Sequence, residues 1–182
     1  MTDPFDLFDV EPAYDLDLGE LERRHRDLSR ALHPDRYAGS PAAERRQALG
    51  KAIEVNDAWR VLRDPVRRAE ALMVRLGSPV QESHAPPTDE ALLMEMLELR
   101  EELSNARQKH DPEAVIRVSG KVRQRQARLT DRMAADFRAA LDQGAGSAEQ
   151  RDTLDALLRQ LAELRYYRKF LEDAAVVEDE LY

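Results

Sequence analysis

Residues 28–36 read LSRALHPDR, and this stretch decides the architecture of the N-terminal half of the chain. A proline disfavours the helical conformation at the residue before it and has no amide hydrogen for the helical ladder. The triplet His33-Pro34-Asp35 must therefore interrupt any helix that reaches it. Because residues 17–32 and 41–64 on either side have helical patterns, the stretch predicts a helical hairpin whose loop carries this triplet.

Capping residues set the expected bounds of the two hairpin helices. Asp17 is a suitable N-cap, with Glu20 three positions later as in a capping box, and predicts a helix that runs to about Leu32. Ser40 as cap and Pro41 in the first turn predict a second helix, which should end at the next Asp-Pro pair. The apolar residues of the second helix recur at helical spacing and predict one apolar face: Leu49, Ala52, Ile53, Trp59 and Leu62.

Turn-forming residues concentrate in 77–88, GSPVQESHAPPT, between two strongly helical stretches. We therefore predict a linker at 77–88, with a first domain over 1–76 and a second over 89–182. Short loops within the second domain favour an antiparallel three-helix bundle, which makes the whole chain all-α. Caps and breakers place the three bundle helices at about 89–107, 112–142 and 148–180.

Composition and charge exclude several classes of function. The 182 residues include no cysteine, which excludes disulfides, thiolate metal sites and cysteine nucleophiles, and the 4 histidines form no local metal motif. We therefore expect no metal and no cofactor. A net charge of −8 argues against a nucleic-acid partner. No run approaches the roughly 20 apolar residues of a membrane helix and the N-terminus lacks a signal peptide, so we expect a cytoplasmic protein without a membrane partner.

Three arginines form a basic stripe on the first hairpin helix. At about 100° per residue, Arg23, Arg26 and Arg30 lie opposite the leucines of that helix. Such a stripe is ordinarily a solvated face, but this one leads directly to the 33–35 loop, so we predict that the two form one binding surface. An enzymatic alternative, with the loop histidine as a base oriented by the aspartate, lacks a nucleophile and an oxyanion site nearby. We therefore predict that the chain is not an enzyme.

Residues 28–36 together with 56–65, NDAWRVLRDP, resemble the J-domain family. The resemblance implies a domain that docks on the ATPase domain and interdomain linker of a DnaK-type chaperone and stimulates hydrolysis. It implies that the 33–35 triplet is the signature triad and that Arg26 is a basic contact. Asp35, a short carboxylate on a rigid loop, suits a charge-assisted pair with a partner arginine. The chain departs from many J domains at 25 and 27, where a histidine and an aspartate replace an aromatic and a further basic residue.

The first bundle helix carries more apolar residues than its core requires. Leu93, Met94 and Leu97 lie roughly 100 to 200° away from its core line. Such a cluster is either buried by the other domain or offered to a partner. Glu98 and Glu101 flank it, either as ordinary solvated charges or as an interface rim. The predicted core line consists of Leu92, Met96, Leu99, Leu103 and Ala106.

On the last helix, Tyr166 and Phe170 project away from the predicted inner face. Counting residues from the loops at a common helical rise puts Tyr166 at about the level of Leu97. Tyr166 then either joins the apolar cluster of the first bundle helix or, with Tyr167 and Phe170, widens the bundle core. The predicted inner face consists of Leu154, Leu158, Leu161 and Leu164.

Residues 93–103, LMEMLELREEL, together with a length near 180 and the C-terminal bundle, resemble the HscB family, the J-type co-chaperones of iron–sulfur cluster assembly. The resemblance implies two partners, the specialised chaperone HscA and the scaffold protein IscU as client. Some members carry an N-terminal cysteine-rich metal site, which this cysteine-free chain lacks. Tyr166 stands where other members have a phenylalanine. The residues that match the family's scaffold-binding positions are Leu93, Met94, Leu97, Glu98, Glu101 and Tyr166.

Two other interpretations stay open at this point. A general J-domain protein would use the same loop, while its bundle would bind a different client. A structural helical protein would use the bundle for homo-oligomerisation instead. Binding to an iron–sulfur scaffold separates the first alternative from the HscB interpretation, and a monomeric state in dilute solution argues against the second.

Overall fold

A computed structural model describes residues 2–78 and 90–181, and within these ranges every regular element is a helix. The chain divides into two compact units, Met1–Pro79 and Val80–Tyr182. From its third residue on, the predicted linker 77–88 lies outside the described residues. The prediction of an all-α fold, with a helical hairpin followed by a three-helix bundle, is confirmed.

The first unit contains a 3₁₀ turn at the point where the proline was expected to end the first hairpin helix. Asp17 caps the preceding helix as predicted, because its Oδ1 accepts from the amides of Gly19 and Glu20 at 2.9 and 3.1 Å. The elements of this unit are α1 (Pro4–Phe8), α2 (Leu18–Ala31), the 3₁₀ turn (Pro34–Tyr37), α3 (Ala42–Arg63) and α4 (Pro65–Arg75).

The start of α3 differs from the prediction by one residue. Pro41, and not Ser40, is the N-cap, with ψ at 151°, and no side chain hydrogen-bonds the first turn. The amide of Ser40 donates to the carbonyl of Tyr37 at 3.0 Å, which places Ser40 in the turn between the 3₁₀ turn and α3. The extended ψ of Pro41 makes that residue the point at which the chain enters the helix.

The buried face of α3 also differs from the predicted one. Leu49 and Ile53 were predicted on the apolar face, but they are 56% and 54% exposed. One step along a helix rotates the side chain by about 100°, so Leu49 does not share a face with its buried neighbour Ala48. The prediction of these two residues was wrong because it centred the apolar face on them and omitted Val55, which is buried. The residues that α3 buries are Ala48, Val55, Ala58 and Leu62.

A buried arginine joins the end of α3 to α4. Arg68 is 7% exposed and donates from Nη1 to the carbonyl of Leu62 at 2.7 Å. Carbonyls in the last turn of a helix have no partner within the helix, so this bond satisfies one of them. The guanidinium carbon lies 5.1 Å from the ring centroid of Tyr14. Burial raises the pKa of Tyr14 to about 12 and lowers the pKa of Arg68.

Three longer helices form the second unit, and ion pairs give their relative directions. Lys121 Nζ lies 2.9 Å from Glu102 Oε2, and Arg125 pairs with Glu95. From the first pair to the second, the residue number rises on one helix and falls on the other, so the first two helices are antiparallel. The helices are α5 (Glu90–Gln108), α6 (Pro112–Asp142) and α7 (Ala148–Leu181).

A buried glutamine fixes the turn between α6 and α7. Gln150 donates from Nε2 to the carbonyl of Ala140 at 2.9 Å, and its Oε1 accepts from the amide of Gly146 at 2.8 Å. Gly146 has φ at 75°, a conformation that glycine adopts without strain. One side chain therefore satisfies a backbone group in the last turn of α6 and another in the loop that follows it.

The bundle core follows the predicted lines with two differences. Leu92 is only half-buried at the start of α5, while the other four residues of the predicted line are buried. On α7 the buried residue is Leu157, whereas Leu158 is half-buried. Leu157 lies seven residues from both Gln150 and Leu164, which is about two turns, so the three share one face.

Two leucines on α3 test this assignment of core and surface. Leu62→Ala should lower the free energy of unfolding by about 2 to 5 kcal/mol, because the side chain is fully buried and its loss leaves a cavity. Leu49→Ala is the matched control and should change it by less than about 0.5 kcal/mol. Chemical denaturation followed by circular dichroism measures both values. Equal destabilisation by the two substitutions would place Leu49 in the core.

Candidate protein-binding sites

The loop at 33–35 is ordered by its own side chains. His33 accepts with Nδ1 from the amide of Asp35 at 3.3 Å, and the same atom lies 3.5 Å from Asp35 Oδ2. Pro34 between them has a fixed φ, which limits the conformations of the loop. The side chain of Asp35 is 90% exposed, so its carboxylate is accessible to a cation of a partner.

Each arginine of the predicted stripe pairs with a carboxylate one turn away on α2. The side chains remain exposed, and exposed pairs of this kind contribute little to stability. Within α2, four arginines and three carboxylates give a net charge of only +1. The three arginines therefore offer hydrogen-bond donors in defined directions, but the helix surface has only a weak positive potential. The pairs are Arg23 with Glu20, Arg26 with Glu22 at 3.0 Å, and Arg30 with Asp27 at 3.7 Å.

His25 lies away from the arginine stripe and packs between α2 and its neighbouring helices, a role that was not predicted. Its ring stacks on Trp59 of α3, with centroids 4.9 Å apart and planes at 9°, and lies 6.4 Å from the ring of Phe8. Its Nε2 lies 3.0 Å from Asn56 Oδ1. The flat imidazole thus fills an aromatic position and connects α2 to α1 and α3. One feature of the sequence could have indicated this contact, since His25 stands at a position where many J domains have an aromatic residue.

The apolar cluster predicted on α5 is exposed. Leu93, Met94 and Leu97 are 41%, 56% and 60% exposed, whereas Leu99 is 4% exposed. We call Leu93, Met94 and Leu97 the α5 strip. Glu98 and Glu101 beside it are exposed as well. An apolar strip of this kind that the core does not need is typical of a protein-binding surface.

The aromatic residues of α7 divide between core and surface. Tyr167 and Phe170 are 3% and 2% exposed and belong to the bundle core. The core-widening alternative therefore holds for these two. Tyr166 is 36% exposed and keeps part of its ring accessible.

An ion pair gives the level of Tyr166 relative to α5. Arg107 Nη2 lies 2.8 Å from Glu180 Oε2, which brings these positions of α5 and α7 together. Tyr166 precedes Glu180 by 14 residues, and Leu93 precedes Arg107 by the same 14. Since both helices rise equally per residue and the paired side chains are long, the pair places Tyr166 within about one turn of both Leu93 and Leu97.

Polar side chains join α6 to each of the other two bundle helices. Glu95 on α5 pairs with Arg125 on α6. On α7 the hydroxyl of Tyr167 donates to Glu163 Oε1 at 2.6 Å, and Arg132 on α6 lies 4.0 Å from the same carboxylate. Burial, followed by the contact with Glu163, raises the pKa of Tyr167, so its hydroxyl remains a donor at neutral pH. On α5 the ion pair of Glu95 with Arg125 lies on the side of the helix away from the strip.

Within residues 2–78 and 90–181, no group of three or more histidine, aspartate or glutamate side chains is arranged to hold a metal ion. None of the helices there is both long and apolar enough to span a bilayer. The chemistry that the two sites display is ion pairing, hydrogen bonding and apolar contact.

Comparison with known proteins finds relatives of both units. Residues 3–71 match the family described as "DnaJ domain", and residues 88–175 match the family described as "HSCB C-terminal oligomerisation domain". A protein named "Co-chaperone protein HscB homolog" from Shewanella sp. (strain W3-18-1) is 31% identical over an alignment of 180 residues, which covers 97% of this chain and 97% of the relative.

Solved structures show the same similarity. The structure titled "Chaperone HscB from Vibrio cholerae" has a TM-score of 0.82 and 30% sequence identity, and the match covers 100% of both chains. The crystal structure of human co-chaperone protein HscB has a TM-score of 0.81 and 23% identity, covering 97% of this chain and 82% of the human one. At that identity the human structure supports the fold alone.

Stability measurements separate the α5 strip from the core beneath it. The triple variant Leu93→Ala/Met94→Ala/Leu97→Ala should barely change the melting temperature, because truncating exposed side chains leaves no cavity. Leu99→Ala should remove roughly 2 to 5 kcal/mol of stability, since this leucine is buried. Thermal melts of both variants provide the comparison. A triple variant that melts as early as Leu99→Ala would mean that the strip is packed inside.

Proposed function

Because the chain belongs to the HscB family of J-domain co-chaperones, we propose that it stimulates the ATPase of a DnaK-type chaperone and delivers a client to it. In this proposal the chaperone is of the HscA type, the client is the iron–sulfur scaffold IscU, and the setting is the cytoplasm. The chain itself catalyses nothing and acts on the hydrolysis performed by its partner. The observation that carries the proposal is that one chain contains a region matching each of the two families. In each unit the predicted contact residues are exposed.

The proposed contact with the chaperone centres on Asp35. Its exposed carboxylate accepts a charge-assisted hydrogen bond from a partner arginine, and the ordered loop lowers the entropy that docking removes. Around it, Arg23, Arg26 and Arg30 exchange their carboxylates on α2 for acidic groups of the chaperone. This exchange is inexpensive, because the pairs being replaced are exposed and weak.

The proposed contact with the client is mainly apolar. The α5 strip and the ring of Tyr166 lose their remaining exposed surface against the scaffold, which supplies the affinity. Glu98 and Glu101 form a polar rim that selects a client with donors at matching positions. The hydroxyl of Tyr166, absent from a phenylalanine, adds a further donor at the edge of this surface.

Self-association is a second candidate use of the bundle. The description of the family that matches residues 88–175 contains the word oligomerisation, which favours considering it. Two copies pairing through their α5 strips would hide the surface that the client needs. Sedimentation of the purified protein over a range of concentrations distinguishes the two uses, and we expect a monomer whose strip is available to the client.

Asp35→Asn is the direct test of the chaperone contact. The variant should keep its fold, because the side chain is exposed, and should abolish stimulation, because a neutral amide cannot replace the carboxylate opposite an arginine. Single-turnover ATP hydrolysis by the chaperone from the same cell measures this, with circular dichroism as the folding control. Full stimulation by a folded variant would exclude the proposed mechanism.

A second test asks whether the two sites act independently. Arg26→Ala should weaken stimulation and leave scaffold affinity unchanged. Adding Tyr166→Ala to the triple variant of the α5 strip should weaken scaffold binding sharply and leave stimulation without client unchanged. Calorimetric titration and the ATPase assay give both readouts for both variants. Parallel losses would contradict the division of labour, since independent sites should contribute additively.

A further inference from the structure

An exposed apolar pair on α3 lies next to the signature loop. Leu49 and Ile53 are both more than half exposed, and their spacing of four residues places them on one side of the helix. Leu49 also lines a groove of about 230 Å³ that reaches the loop. The groove is lined by Leu32, Pro34, Tyr37, Arg45, Ala48 and Leu49. The pair is therefore continuous, through this groove, with Pro34 of the triplet.

The core of the first unit does not account for this pair. The buried residues of α3 lie on a different side, and exposed helix faces ordinarily carry charged or polar residues. Cations border the pair, since Arg45 lines the groove and Arg46 precedes Leu49 by three positions on the same side of α3. An apolar surface bordered by cations and adjoining a docking loop fits an apolar segment flanked by acidic residues.

We infer that Leu49 and Ile53 bind an apolar segment of the DnaK-type chaperone, beside the group that engages Asp35. The inference rests on the proposed function and deepens it by naming a second point of contact. The occupant is the chaperone because Leu49 shares its groove with Pro34, within the loop assigned to that partner, and Ile53 lies one turn further along the same side of α3. The client is assigned to the α5 strip, which belongs to the other unit.

The two contacts have distinguishable roles. Asp35 couples docking to hydrolysis, so its loss lowers the maximal stimulation. The α3 pair adds only buried apolar surface, so its loss should raise the concentration that gives half-maximal stimulation and leave the maximum intact. Salt screens ionic contacts but leaves apolar ones in place, so the effect of the α3 pair should persist at high ionic strength.

The test compares Leu49→Gln/Ile53→Gln with Val74→Gln in the full-length chain. Val74 on α4 is 61% exposed and does not line the groove, so its substitution is a matched control. For the double variant we expect the half-maximal concentration to rise by about ten-fold or more, which corresponds to about 1.4 kcal/mol. For the control we expect a change of less than about two-fold, or roughly 0.4 kcal/mol. The assay uses the ATPase of the chaperone from the same cell, at low and at high salt.

Each other outcome has a definite meaning. An unchanged half-maximal concentration overturns the inference, and loss of stimulation in Asp35→Asn would then still support the proposed function. A lower maximum at an unchanged half-maximal concentration also overturns it. A double variant that alters sedimentation of the isolated protein identifies a second copy as the occupant. If the wild-type chain stimulates no chaperone, the proposed function fails and this inference fails with it.

A second double variant guards against misfolding. Leu49→Ala/Ile53→Ala introduces two strong helix formers at exposed positions, so it should retain the wild-type melting temperature. It should raise the half-maximal concentration in the same direction as the glutamine variant. Wild-type behaviour of this folded variant overturns the inference, whatever the glutamine variant does.

Discussion

The first unit depends on the conformational restriction that one proline imposes. Pro34 cannot donate to a helical ladder and disfavours helix at the residue before it, so α2 ends at Ala31 and the chain turns back. The reversal brings α3 against α2, where His25 stacks on Trp59. It also leaves Asp35 at the tip of the hairpin. The same break therefore forms the unit and exposes its proposed binding group.

The bounds of the helices were largely predictable because local chemistry determines them. Helix α6 begins at Pro112 and ends at Asp142, as caps and breakers indicated, and Asp17 caps α2. Side-chain exposure was less predictable, because it depends on which elements pack together. Leu49 and Ile53 have core-like chemistry, but no element of the first unit covers them.

The candidate sites were predictable to different extents. Helical periodicity placed Leu93, Met94 and Leu97 outside the core, and the structure leaves all three exposed. The same reasoning did not find the stacking of His25, since a contact between α2 and α3 is not encoded in the spacing of either helix. The local ion pairs of the α2 arginines were also missed. Their spacing of three or four residues was visible in the sequence, and it reduces the basic stripe to a nearly neutral surface.

The unequal lengths of the bundle helices bear on local opening. Glu90–Gln108 buries four side chains, whereas Pro112–Asp142 buries eight and Ala148–Leu181 buries nine. The free energy of local opening rises with the number of buried contacts. Helix α5, which carries the proposed client surface, should therefore open more readily than α6 and α7. A ligand that binds only the closed state opposes that opening. Bound client should then slow amide hydrogen exchange in α5 and leave the exchange of α6 and α7 unchanged. The exchange rates of α5 would report occupancy of the site residue by residue.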